Sequence, residues 1–315
     1  MSKIKCVFSY LAYPFTIANY FRRALERRDD IELFTVGEFS GQFIPWASGM
    51  QIPMKYENKV DVPLPLGMSH PTWEVVEKSL PWKPDLSLTV DAGWSYSTKP
   101  SCLSAHVATD PHVLDYSMGR KNSDVFFNMQ PSYMQEGDIL LPYCFDPSCH
   151  YPAETVYLDN NGSLLVGKEF DCCMVGLHYP HRDEWVRRLR EVGISVNYRI
   201  GDIYDEYREE NNKAKIGLVW SSLNDVIARV FEVMAMRMVP VLNRLPGLDY
   251  LGFQEGKHYL GFSTMDEAVA QVQWAKGNER EAQQIAEQAY NFVHERGMTY
   301  DQRISTILKT VGLGE

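Results

Sequence analysis

The sequence runs to 315 residues, 45% of them hydrophobic, which suits two domains of ordinary size, each with its own core. Its formal net charge of −10 argues against tight non-specific binding to nucleic acid, although a local basic cleft stays compatible with that charge. There is no run of about 18 apolar residues, so no membrane span is expected; the opening MSKIKCVFSYLAY reads as a strand and not as a signal peptide. Six scattered cysteines without paired metal spacing fit a reduced, cytoplasmic setting.

Residues 3–9 form the first predicted strand, residues 16–28 a helix with Phe21 and Leu25 inward, and residues 31–36 a second strand. This β-α-β opening predicts a parallel sheet. The turn at residues 9–14 has no glycine, which excludes a dinucleotide fingerprint and a P-loop. Residues 37–70 are rich in Gly, Pro and aromatics without a clear period, and read as a long loop region, either functional or an irregular surface cover. A short helix over 71–79 and strands over 85–90, 105–109, 124–128 and 139–141 continue the alternation. Ligands of open α/β sheets bind at the carboxyl ends of strands. Asp91, His106, Asp110 and His112 stand at or near such ends.

Around residues 142–168 the pattern weakens, and prolines with the turn Asn160-Asn161-Gly162 mark an interdomain connection. Cys144, Cys149 and His150 lack a fourth ligand and read as loop and core residues. A second series follows: a strand over 170–176, a helix over 182–192 closed by Gly193, a strand over 194–198 and an acidic helix over 205–211. The residues 215–243, KIGLVWSSLNDVIARVFEVMAMRMVPVLN, then read as strand, helix, strand. Ser222-Leu223-Asn224-Asp225 matches a capping box. Val226, Val230, Met234 and Met238 recur every fourth residue toward the core, and Pro240 stops the helix before a strand over 239–242. Helices over 264–276, 279–295 and 299–311 close the chain.

Arg229 and Glu232 are three apart and share one helix face near its start, where free N–H groups and the helix dipole attract phosphate. An Arg for a diphosphate beside a Glu for ribose hydroxyls would suit a nucleoside diphosphate. The same spacing also fits an i,i+3 ion pair on a solvated helix. The strand-to-helix geometry recurs at residues 176–182, where Arg182 stands at a helix N-terminus, unfavourable for a cation unless it meets an anion. His178 lies in the same turn. Arg187, Arg188 and Arg190 read as a solvated face.

The run ARVFEVMAMRMVPVLN resembles the nucleotide-binding helix of GT-B glycosyltransferases, most closely the group of spore-maturation-protein-like glycosyltransferases. Its RVFEVMA core also resembles that of phage DNA base glucosyltransferases. The likeness covers about residues 170–310, including 252–259, 263–267 and Thr299-Tyr300-Asp301-Gln302-Arg303, the last expected in domain packing. It implies an α/β fold of two Rossmann-like domains facing a cleft, the GT-B architecture. Residues 1–165 would form the acceptor-side domain and 166–298 the nucleotide-sugar-binding domain, with a helix over 299–315 packing back on the first. The two domains would hinge around a ligand.

The activity implied is transfer of a hexose from a nucleoside-diphosphate sugar, a UDP-sugar, to an acceptor hydroxyl. By this resemblance Arg229 and Arg182 contact the diphosphate and Glu232 the ribose, with His178, Ser222 and Asn224 completing the donor site. Asn224 stands where many retaining GT-B enzymes carry Glu, eight residues before Glu232. Thr109-Asp110 resembles the position of the catalytic aspartate in the phage enzymes. Asp110 is then the base, or else a cap on a helix from Pro111; Asp115 and Asp91 are fallbacks. No Asp-x-Asp motif lies near a predicted site, so the reaction is expected to need no metal and no cofactor beyond its donor. Arginines and helix ends would neutralise the departing diphosphate. The acceptor stays open among a glycan, a small molecule and a modified DNA base. A non-catalytic bilobed nucleotide-binding protein is the alternative of another class.

Overall fold

The computed structural model describes residues 2–39, 43–45, 51–53, 60–65, 67–68, 70–90, 93–158, 164–176 and 179–314. The chain divides into two compact units: Met1–Pro142 with Tyr300–Glu315, and Tyr143–Thr299.

The first unit contains β1 (Ile4–Ala12), α1 (Ala18–Glu26), β2 (Ile31–Phe39), β3 (Phe43–Pro45), β4 (Gln51–Pro53), β5 (Val62–Leu64), α2 (Trp73–Glu77), β6 (Leu86–Val90), β7 (Leu103–Ala108), α3 (Ser117–Asn122), β8 (Val125–Asn128) and β9 (Ile139–Leu140). Seven strands form one parallel sheet in the order β5-β2-β1-β6-β7-β8-β9, and β3 and β4 pair separately, antiparallel. Every residue of β6 is buried, as in a strand covered on both faces. Val7, Val36, Trp73, Trp94 and Tyr96 pack one core of this unit. Phe21 and Leu25 of α1 are buried, as the helical period requires.

The second unit contains β10 (Thr155–Leu158), β11 (Leu164–Gly167), β12 (Phe170–Gly176), α4 (Pro180–Glu191), β13 (Val196–Ile200), α5 (Tyr204–Asn212), β14 (Ala214–Val219), α6 (Ala228–Ala235), β15 (Val239–Asn243), α7 (Pro246–Tyr250), β16 (Leu260–Phe262), α8 (Met265–Gly277) and α9 (Glu279–Glu295). Its parallel sheet has the order β13-β12-β14-β15-β16. Trp185 and Leu189 of α4, Ile216 and Leu218 of β14, Val241 of β15, Val272 of α8 and Ile285 of α9 share one core. Each parallel sheet, connected through helices, has the pattern of a Rossmann-like domain.

The last helix, α10 (Tyr300–Thr310), belongs to the first unit. Tyr300 stacks on Tyr20 at 5.3 Å and meets Phe21 edge-on at 5.0 Å. The Asp301 carboxylate accepts from Arg27 Nε at 2.9 Å and Nη2 at 2.8 Å, and Arg303 Nε donates to the Pro142 carbonyl at 2.7 Å.

Several boundaries differ from the sequence reading. The units divide at Pro142, ahead of residue 165, because the following segment is tied into the second unit: the Phe145 amide donates to the Met298 carbonyl at 3.1 Å. The Asn160-Asn161-Gly162 turn lies outside the described residues, as does much of 37–70. The helix expected from Ser222 begins at Ala228, with Ile227 at its N-cap and no side-chain cap. It ends at Ala235, ahead of Pro240, where Arg237 adopts a left-handed φ of 56°.

Candidate nucleotide site and candidate base

In the second unit β13 lies on one side of β12 and β14 on the other, so the chain reverses direction across the sheet between β12 and β14. Ligands of such sheets bind at the carboxyl ends of the strands flanking this point. Two connections leave there, one from Gly176 into α4 and one from Val219 into α6. Val230, Phe231, Val233 and Met234 anchor α6 in the core. Gly217 lets β14 come close beneath it, since a Cβ there would stand 2.5 Å from Val233 Cγ1.

The turn between β14 and α6 is organised by Ser221. Its hydroxyl donates to the Asp225 carboxylate and accepts from the amides of Asp225 at 3.1 Å and Leu223 at 3.4 Å. The Asn243 side chain, from the end of β15, accepts from the Ser221 amide at 3.0 Å and donates to its carbonyl at 3.1 Å. Asn224 turns the corner with a φ of 58°, a conformation Asn tolerates better than most residues. Ser222 and Asn224 are exposed at the tip, so the capping box expected there is replaced by an earlier serine and a left-handed asparagine.

Arg182, in the first turn of α4, and Arg229, in the first turn of α6, come together beside Gly176. A Cβ on Gly176 would stand 2.8 Å from Arg182 Nη1 and collide outright with the Arg229 guanidinium. Arg182 is buried, and its guanidinium carbon lies 5.0 Å from the Tyr179 ring centroid. Burial first, and the Arg229 charge second, lower the Arg182 pKa to about 10. Arg229 Nε is buried without a hydrogen-bond partner, and Arg229 makes no ion pair among the described residues. The ion pair with Glu232 that the i,i+3 spacing also allowed is therefore not formed. Two like charges thus meet at two helix N-termini beside a bare backbone, a setting in which an anion is favoured.

Glu232 faces other partners. The Tyr207 hydroxyl, from α5, donates to Oε2 at 2.8 Å, and His150 Nε2 lies 3.7 Å from Oε1. Sequence spacing gives no sign of either residue, because both reach Glu232 only through the fold. His150, Cys144 and Cys149 are fully buried core residues. His178 lies outside the described residues. Arg187 pairs with Glu184 and Glu191, and Arg188 with Asp266, as expected of a solvated face.

In the first unit Asp110 follows the carboxyl end of β7, and its carboxylate accepts the Thr109 hydroxyl at 2.8 Å. The Tyr116 hydroxyl accepts from the amides of Thr109 and Asp110, each at 3.2 Å. No helix starts at Pro111. The Asp110 carbonyl instead receives the amides of Val113 and Leu114, so a turn replaces the helix that Asp110 would have capped. Asp115 takes a capping role ahead of α3, accepting the Ser117 amide at 2.8 Å and its hydroxyl at 2.9 Å; the amide bond first and the hydroxyl second lower its pKa. Asp91 lies outside the described residues. His106 is enclosed within β7 against Phe126 and Tyr116, a core histidine and not a strand-end one. His112 packs its ring 5.3 Å from that of Tyr133.

Residues 164–309 match the profile of the family described as glycosyl transferase-like. No curated protein matches the sequence. The structure is similar to that of Anabaena HepE in complex with UDP and glucose, with a TM-score of 0.62 and 10% identity over 98% of this chain and 100% of that one. Sucrose-phosphate synthase from Thermosynechococcus elongatus gives a TM-score of 0.60 and 11% identity over 98% and 99% of the two chains. T4 phage BGT in complex with UDP and Mn2+ gives 0.55 and 11% over 98% and 99%. At such identities the likeness is one of fold. No described helix is long and apolar enough to cross a membrane. Residues 164–309 thus resemble the glycosyl transferase-like family, and the chain as a whole has the fold of GT-B glycosyltransferases.

Proposed function

We propose that the protein moves a sugar from a UDP-sugar to an acceptor hydroxyl without a metal ion. The observation that carries this reading is the meeting of Arg182 and Arg229 at Gly176. Like charges held together in a partly buried site cost free energy that a bound anion recovers, and guanidiniums can give phosphate oxygens paired, charge-assisted hydrogen bonds. Both arginines would bind the donor's diphosphate, and Glu232 would accept hydrogen bonds from the ribose hydroxyls. That HepE and the T4 phage protein are described with UDP supports a uridine nucleotide.

In the transfer the acceptor oxygen attacks the anomeric carbon. Its proton passes to Asp110, the carbon–oxygen bond to the diphosphate breaks, and UDP departs with its charge neutralised by the arginines. The six cysteines, none of them in a disulfide, support a cytoplasmic setting.

Calorimetry tests the donor site. Loss of one charge-assisted contact costs about 1.5–3 kcal/mol, so Arg229→Ala should weaken UDP binding by roughly tenfold or more. Unchanged UDP affinity in both Arg229→Ala and Glu232→Ala would remove the assignment. Turnover of a UDP-sugar in the presence of acceptor separates a transferase from a binding protein.

A further inference from the structure

Glu232 is surrounded by groups from two distant stretches of the second unit. Tyr207 is buried on α5 and gives its only proton to Oε2 at 2.8 Å. Burial first, and the Glu232 charge second, hold its phenol well above the usual tyrosine range, so it remains a donor at every working pH. The His150 ring stands edge-on to Tyr207, centroids 5.8 Å apart and planes at 86°. The Asp146 amide donates to His150 Nδ1 at 3.0 Å, which assigns the neutral ring's proton to Nε2. That nitrogen faces Glu232 Oε1 at 3.7 Å, beyond a hydrogen bond but within electrostatic reach.

The two oxygens of Glu232 are therefore not equivalent. Oε2 is bound by a rigid donor, which fixes the plane of the carboxylate. Oε1 is attracted in one direction without being bound there. An ionised carboxylate offers about four acceptor sites, and the tyrosine takes one of them. The remaining sites suit two neighbouring hydroxyls of one sugar ring.

We infer that Tyr207 and His150 are positioning residues that set the Glu232 carboxylate to receive the vicinal diol of a ribose, and so fix a preference for ribonucleotide over deoxyribonucleotide donors. The inference rests on the assignment of Glu232 to the ribose. It makes selectivity for the sugar of the nucleotide depend on two residues that do not touch it.

The test compares three probes, UDP, 2′,3′-dideoxy-UDP and inorganic pyrophosphate, by calorimetry on the wild-type protein, Tyr207→Phe and His150→Gln. The wild type should prefer UDP to the dideoxy compound by about tenfold or more, the scale of one hydrogen bond to a charged group. In Tyr207→Phe that preference should fall several-fold while pyrophosphate binds as before. His150→Gln should lower it in the same direction and serves alone where Tyr207→Phe does not fold. General damage to the fold would weaken all three probes together and leave the ratio intact, which would overturn the positioning role. A preference retained in both variants would also overturn it. A wild type that binds UDP and its dideoxy analogue equally would remove the ribose assignment itself, an outcome distinct from the other two.

Discussion

Arg182 and Arg229 present their guanidiniums to the same backbone atom, the Cα of Gly176, from the first turns of two different helices. A Cβ at that position would force both guanidiniums to move. Gly176 also holds a φ of 152°, which disfavours any other residue. Gly176→Ala should push the Arg229 guanidinium out of the site and cost about 1–3 kcal/mol of stability, the usual range for overpacking. Its UDP affinity should fall by roughly tenfold. Calorimetry beside a thermal melt reads both effects, and wild-type UDP binding by this variant would show that the arginine geometry is not needed.

The base can be tested without touching the donor site. Asp110→Asn keeps the size of the side chain and an oxygen to accept the Thr109 hydroxyl, but it cannot take a proton. It should melt near the wild type, bind UDP normally and lose about 10²–10⁴-fold in transfer rate. Asp115→Asn should retain transfer, since that carboxylate is occupied by Ser117. Equal activity in both variants would leave the reaction without its proposed base.

A metal-free reaction should continue in excess chelator. The T4 phage protein is described with Mn2+ as well as UDP, so the measurement discriminates. Transfer rates are compared with EDTA and with added Mn2+ or Mg2+. A rate abolished by EDTA and restored by the ion would move the charge neutralisation from Arg182 and Arg229 to a metal.

Acid sensitivity should come in part from His106. Burial first, and the Arg120 charge second, lower its pKa from 6.5 to about 3. Between those values the unfolded chain binds a proton that the folded protein does not. The folded state is thus favoured above about pH 6.5 and loses that advantage as pH falls toward 3. At about 1.4 kcal/mol per pH unit, one such histidine contributes a loss of about 2 kcal/mol on going from pH 6.5 to about 4.5. His106→Leu should lose less stability than the wild type over this window, read as the difference in melting temperature between the two pH values. Asp124, Asp138 and Asp171, whose carboxyl pKa values are lowered, add their own losses only at lower pH, in both proteins alike. Parallel melting curves would assign the acid response elsewhere.

The periodic parts of the sequence announce themselves. Strands such as Leu86–Val90 and Ala214–Val219 are largely apolar because helices cover them, and Arg229 and Glu232 fall on one helix because three residues make nearly one turn. What the sequence hides is whatever depends on a distant partner. Ser221, and not Ser222, directs the turn, because the Asn243 side chain reaches over from β15 to bind it. Tyr207 reads as one more residue of an acidic helix until α5 brings it under Glu232. The segment after Pro142 has no period at all, and a backbone bond to Met298 ties it to the second unit. Glu232 is legible as a ligand candidate, whereas the groups that hold it are not.

The membership of α10 sets an order on synthesis. The second unit, Tyr143–Thr299, is one unbroken stretch of chain, so all of it has left the ribosome before the first unit is complete. The first unit must wait for Tyr300, which covers Tyr20 and Phe21, and for Asp301, which neutralises Arg27. Until those residues emerge, a nascent first unit carries an uncovered aromatic face on α1, the kind of surface that chaperones retain. The half proposed to bind nucleotide is continuous in the chain, whereas the half proposed to bind acceptor needs a helix made after it.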